Sequence, residues 1–266
     1  QWRWPFQKIN LPLLKAGDIL EICRGILGEA LPEEIIQRIK QDTGGNPLYV
    51  IEWSRSRLIY LSQHPDGQDF NPPSGGLVEL MRHRLNFLTS SSRQVLAAAA
   101  VIGRHFQPDQ IARIADLSSH QTSEAFLELE RTNLIQPMDG TSTYLFIHDK
   151  IREIVWMDLS LARRRMLHLR AAHLLQAGWG GDENPNVAQV ATHYEAAGEV
   201  NAAVMAWLAA ARHALRLFSQ KEAEGAFQRA ENLVKIHGSR LPDETILRRY
   251  STWGFLTNQA TNLKEA

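Results

Sequence analysis

Apolar positions recur at helical spacing along most of this chain, and at strand-like alternation in only a few short places. Ile9 to Leu14 is one such alternating run and reads as the last strand of a sheet whose other strands the sequence does not contain. From Gly17, the positions Ile19, Ile22, Cys23, Ile26 and Leu27 mark a helix ending near Gly28. A second helix is predicted from Pro32, with Glu33 and Glu34 in the first turn, where acidic groups suit the helix dipole. It should stop at Gly44-Gly45. Pro47 then opens a third helix that runs to Gln63. From His64 to Gly76 the chain is dense in breakers (Pro65, Gly67, Pro72, Pro73, Gly75, Gly76) and reads as a linker.

The next block reads helix, helix, helix, strand, strand. Ser91 to Ile102 is one helix, stopped by Gly103. Pro108 starts a short one carrying Ile111, Ile114 and Ala115. Ser118 or Ser119 caps a third that carries Ala125, Phe126 and Leu129. Leu134-Ile135-Gln136-Pro137 and Tyr144-Leu145-Phe146-Ile147 flank the turn Asp139-Gly140, which gives a strand-turn-strand wing. That order is a winged helix, a helix-turn-helix with an added hairpin. Beyond His148 all signals are helical. Ile151, Ile154, Val155 and Leu159 share one face, and Leu167, Ala171, Leu174 and Leu175 share another. After a loop from Gly178 to Pro185 come three alanine-rich amphipathic helices, marked by Val190 and Tyr194, by Ala203 and Trp207, and by Ala226 and Phe227. Small Ala against large aromatics at this spacing suits stacked helical hairpins, an α-solenoid of tetratricopeptide-like kind, although no strict repeat survives inspection.

Composition narrows the classes. Of 266 residues, 44% are hydrophobic and 22% charged, as in an ordinary globular protein with room for two or three domains. The 29 basic residues balance 29 acidic ones, so no global field draws the chain to nucleic acid or an anionic membrane. The single cysteine, Cys23, excludes an internal disulfide, suits a reducing cytoplasm and reads as a small buried hydrophobe. No apolar stretch is long enough to span a bilayer. Without an initiator Met or a signal-peptide core, the N-terminus reads as a cut into a longer protein, and the C-terminus stops in helix-compatible sequence. The ten histidines form no His-X-X-X-His pair, and His168 and His173 do not share a helix face, so no zinc site is expected. No Gly-X-Ser-X-Gly elbow is present and Cys23 has no catalytic setting, so no catalytic residue is assigned and the chain is not expected to be an enzyme by itself. A phosphate loop would need Gly-Lys-Ser/Thr at a helix mouth, and no Gly precedes any Lys.

Several partial motifs nevertheless follow in one order. They are Ile9 to Leu14, Thr43-Gly44-Gly45-Asn46-Pro47-Leu48-Tyr49-Val50, Val95 to Phe106, Tyr144-Leu145-Phe146-Ile147-His148-Asp149, Arg163 to His168, and Ala191-Thr192-His193-Tyr194-Glu195-Ala196-Ala197-Gly198. The series resembles the lid, winged helix and helical repeats of the signal-transduction ATPases with numerous domains (STAND), the AAA+ branch that includes MalT-like and LuxR-type regulators and cyclase-associated ATPase modules. The resemblance implies a mainly α fragment: the end of an AAA+ core and helical lid over residues 1–73, a winged helix over 74–150, and a helical connector with tetratricopeptide-like repeats over 151–266. It also implies a nucleotide site. Gly45, Asn46 and Pro47 match the family's Gly-X-Pro, whose Pro packs near adenine. Ile147-His148-Asp149 matches its Met-His-Asp, whose His meets the β-phosphate of ADP and holds the switch off. Ile in place of Met keeps the apolar anchor.

The implied partners are an N-terminal phosphate-loop ATPase core outside this sequence and a protein or small-molecule inducer at the repeats. ATP or ADP would be the cofactor of the parent signalling or transcription-regulating protein, with no tight nucleotide binding by this chain alone and no membrane. Two other readings stay open: a winged-helix DNA-binding protein and a tetratricopeptide-type scaffold. The would-be reading helix, Ser119 to Thr132, carries Glu124, Glu128 and Glu130 against Arg131, which speaks against DNA. For Pro47 a plain first-turn proline, for His148 an ordinary cap or buried histidine, and for Arg163-Arg164-Arg165 a solvated charged face are the competing structural readings.

Overall fold

The computed structural model describes residues 10–63, 70, 75–177, 184–238 and 241–265, with side chains as far as Gly254. The chain is mainly α and falls into two compact units, residues 1–88 and 89–266.

The first unit contains α1 (Ala16–Leu27), α2 (Glu33–Thr43), α3 (Pro47–Gln63) and α4 (Gly76–Asn86). Helix α3 is the centre, packed by α1, α2 and α4. It has little amphipathic character because it is enclosed on several sides, so Glu52, Ser54, Ser56 and Arg57 are buried beside Val50 and Trp53. Glu52 meets Arg84 of α4 and Arg55 in a buried ion-pair cluster. Cys23 is fully buried and hydrogen-bonds Ser54 across α1 and α3 at 3.4 Å, and burial pushes its thiol up from the ordinary range. The predicted linker lies largely outside the described residues. Phe70 within it is buried, edge-on to Trp53 at 5.2 Å. Of the predicted strand Ile9–Leu14, Ile9 also lies outside. Residues 10–15 form no strand, and no ladder partner for them stands among the described residues. Leu14 N–H donates to the Gly45 carbonyl at 2.9 Å, and the Lys15 carbonyl accepts from Ile19 N–H at the start of α1.

The second unit begins with the winged helix: α5 (Ser90–Ile102), β1 (His105–Phe106), α6 (Pro108–Ala115), α7 (Ser119–Arg131), β2 (Ile135–Pro137) and β3 (Tyr144–Phe146). The strands form one antiparallel sheet in the order β1-β3-β2, with Phe106 opposite Tyr144 and Ile135 opposite Phe146. Phe106, Phe126 and Phe146 pack together beneath it. Thr89 caps α5, and Ser118 caps α7 in a capping box with Gln121. Helices α8 (Asp149–Asp158) and α9 (Leu161–Gln176) fold back on α5, and α9 also packs on α6. There Arg170 donates to the Ile114 carbonyl and pairs with Asp116 at 3.3 Å.

From α9 onward, consecutive helices pack on one another in solenoid-like fashion: α10 (Val187–Ala197), α11 (Val200–Arg216), α12 (Gln220–His237) and α13 (Asp243–Glu265). Buried Ala203, Ala210, Ala211 and Ala214 of α11 and Ala223, Ala226 and Ala230 of α12 let the backbones approach around Trp207 and Phe227. Among the described residues no helix is long and apolar enough to cross a membrane.

Candidate functional site

Gly44 and Gly45 end α2 in left-handed geometry, at φ 59° and 73°. At Gly45 the constraint is steric as well as conformational. A Cβ there would lie 2.8 Å from the Leu14 carbonyl oxygen, closer than real Cβ atoms come. Gly45 N–H is held by the Thr43 hydroxyl, whose own proton goes to the Ile39 carbonyl. Asn46 follows as the cap of α3, its side-chain oxygen accepting from Tyr49 N–H at 3.3 Å and its carbonyl from Val50 N–H at 3.0 Å. Pro47 takes the first helical position, where no N–H is needed. Gly45 is buried while Asn46 and Pro47 are exposed, so the turn offers an amide and a pyrrolidine face on a rigid two-helix corner. Beside it the Tyr49 phenol is pushed up by burial and by the Asp42 charge.

His148 stands in the second unit, where β3 gives way to α8. Its backbone is extended, at φ −134° and ψ 134°, and its carbonyl starts α8 by accepting from Ile151 N–H. Ile147 N–H donates back to the Leu134 carbonyl at 3.2 Å, which fixes the strand end against β2. The half-buried imidazole caps no N–H of α8 and has no hydrogen-bond partner among the described residues. Asp149 carries the first-turn charge of α8 and lies 3.8 Å from Arg104, both side chains well exposed. The junction thus carries an imidazole followed directly by an acidic residue that lies beside Arg104. Among the described residues no metal-ligating group of three is assembled.

Two polar sites escape the sequence pattern because their partners are far apart along the chain. His168 on α9 and His193 on α10 bring their Nδ1 atoms to 2.8 Å, so in the bonded neutral pair one donates and the other accepts. Glu128 on α7 reaches the start of α5 and accepts from Thr89 N–H at 3.1 Å and from the Thr89 and Ser92 hydroxyls. Burial would raise its pKa, but the Ser92 and Thr89 hydrogen bonds, helped by the Arg93 charge, hold the carboxyl below the usual range. Glu130 in turn accepts from the Tyr144 hydroxyl at 2.8 Å. Two of the three acidic residues of α7 thus serve the fold. In the Arg163–Arg165 run, Arg164 stacks on Trp156 at 3.8 Å and donates to the Met157 carbonyl, while Arg163 and Arg165 are exposed.

No family model and no curated protein matches the chain. Among solved structures it is similar to a signal transduction ATPase with numerous domains that carries a tetratricopeptide repeat sensor, from Pyrococcus horikoshii. The two share 12% identity over 93% of this chain and 45% of that one, with a TM-score of 0.41. The chain therefore spans less than half the length of that protein.

Proposed function

We propose that this chain is the regulatory and sensor portion of a nucleotide-gated signalling protein, in which ADP holds a lid and a winged helix against a phosphate-loop ATPase core. The observation that carries the reading is His148: an imidazole at a fixed strand-to-helix junction, half-buried, that neither caps α8 nor bonds another described side chain. Its N–H is not spent on the described fold. Here it is left to meet an anionic oxygen, to which it donates more strongly when protonated. The Gly45-Asn46-Pro47 corner supplies an apolar contact suited to a base, with Pro47 exposed on it. Release of ADP, prompted by a ligand at the helical repeats, would free the output.

The test uses the parent protein containing this chain and its ATPase core, loaded with a fluorescent ADP analogue. A hydrogen bond to a charged group contributes about 1.5–3 kcal/mol, so His148→Ala should release ADP roughly ten- to a hundred-fold faster and signal without inducer. Pro47→Ala should weaken ADP only modestly. Unchanged ADP release in His148→Ala, with a melting temperature lowered equally with and without ADP, would assign the histidine to the fold and overturn the reading.

A further inference from the structure

We infer that the cavity lined by α9, α10, α11 and α13 binds a small carboxylate with a short apolar body. Its volume is 240 Å³. Helix α11 creates the space by presenting Ala202, Ala206 and Ala209, three small side chains on one face, opposite Val190 of α10. The cavity is partly open to solvent, and the helices around it are otherwise packed on buried Ala, Trp and Phe. The wall is not uniformly apolar. Arg212 of α11 and Arg248 of α13 both line it, and no acidic residue is among the described lining side chains. Each guanidinium is aimed by a partner on α13: Arg212 donates to the buried Thr252 hydroxyl at 2.9 Å, and Arg248 pairs with Glu244 at 3.0 Å. The opposite wall has already met its own needs, because the Tyr194 hydroxyl donates to Gln176. The result is an apolar slot with two guanidinium groups at one end, one of them paired with Glu244.

A guanidinium fork matches a carboxylate, and the Val and Ala walls favour a hydrocarbon body over a strongly hydrated phosphate. A cavity of about 150 Å³ accepts benzene, so this one suits roughly ten non-hydrogen atoms. Binding is a property of this chain alone. Only its consequence, supplying the stimulus of the proposed switch, rests on the nucleotide reading, so either can fail without the other.

The experiment is a calorimetric and NMR titration of the chain with three probes: octanoate, octanamide and inorganic phosphate. Octanoate should bind saturably and about tenfold more tightly than octanamide, with phosphate not competing. Arg248→Gln, at an exposed position, should weaken octanoate about tenfold. Ala206→Met, which fills the slot, should abolish binding while the circular dichroism stays native. Should Ala206→Met not fold, Arg248→Gln and the octanamide comparison still decide. Absence of saturable octanoate binding, equal affinity for octanoate and octanamide, displacement by phosphate, or wild-type binding by a folded Ala206→Met would each overturn the site.

Discussion

His193 is an imidazole that has lost its water and gained another imidazole. Burial, with the His168 charge adding to it, pushes its pKa down from 6.5 to about 4, and burial lowers His168 as well. The unfolded chain therefore takes up a proton that the folded chain refuses. The contribution of His193 to stability is whole above pH 6.5 and is lost as the pH falls through about 4. The full loss is on the order of 3 kcal/mol. Urea unfolding from pH 7.5 down to 4 should show that decline, and His193→Gln should flatten it; a slope unchanged by the substitution would place the proton uptake elsewhere. The pair was not legible in the sequence. His168 and His193 sit on different helices, and local spacing relates His168 only to His173, which does not share its face. The Gly45-Asn46-Pro47 corner was legible because every instruction is local: a left-handed glycine, a capping amide and a first-turn proline. What the sequence lacked there was the Leu14 carbonyl, which makes Gly45 a steric requirement as well as a conformational one.

Among the elements, α5 gains its N-terminal cap partly from another helix. Glu128 satisfies Thr89 N–H and the two hydroxyls that prepare the first turn, so α7 closes the end of α5. Glu128→Ala should cost roughly 1–2 kcal/mol, read as a lower thermal midpoint, and Ser92→Ala should add little on top because it breaks the same cluster. Additive losses would contradict the shared cap. Because the folded carboxyl is held below its ordinary range, this stabilisation is present at neutral pH and fades only as acid protonates the folded site. Most element ends followed from Gly, Pro and Ser. Helix α4 did not, since the breakers before it obscured the periodicity of Leu77, Leu80 and Met81. Strand β1 did not either, because two residues carry no alternation and His105-Phe106 becomes a strand only by pairing with Leu145 and Tyr144.

At the scale of the molecule, balanced charge and the employment of Glu128 and Glu130 inside the winged helix both bear on DNA. The 29 basic and 29 acidic residues leave no net cation excess to displace condensed counterions, and α7 keeps Glu124 on its exposed surface. Fluorescence anisotropy with a random duplex at low salt should detect no micromolar complex; binding that weakens steeply with added salt would restore the DNA-reading alternative. The order of helical unit, winged helix and stacked helices was readable from periodicity and breakers. The packing of α4 onto α3 and of α9 onto α5 and α6 was not, since it depends on contacts distant in sequence. One such contact reaches beyond stability. Glu52 and Arg84 are 0% and 2% exposed and answer each other across α3 and α4. Losing either alone unbalances the buried cluster even though Arg55 stays beside Glu52, at a cost of up to about 3–5 kcal/mol, a large share of what holds a domain together, whereas an apolar pair of similar volume is often neutral. The two codons are thus coupled. A lineage can leave this pair only by crossing a valley of unstable intermediates or by changing both positions at once, so drift elsewhere on α3 and α4 should outpace drift here.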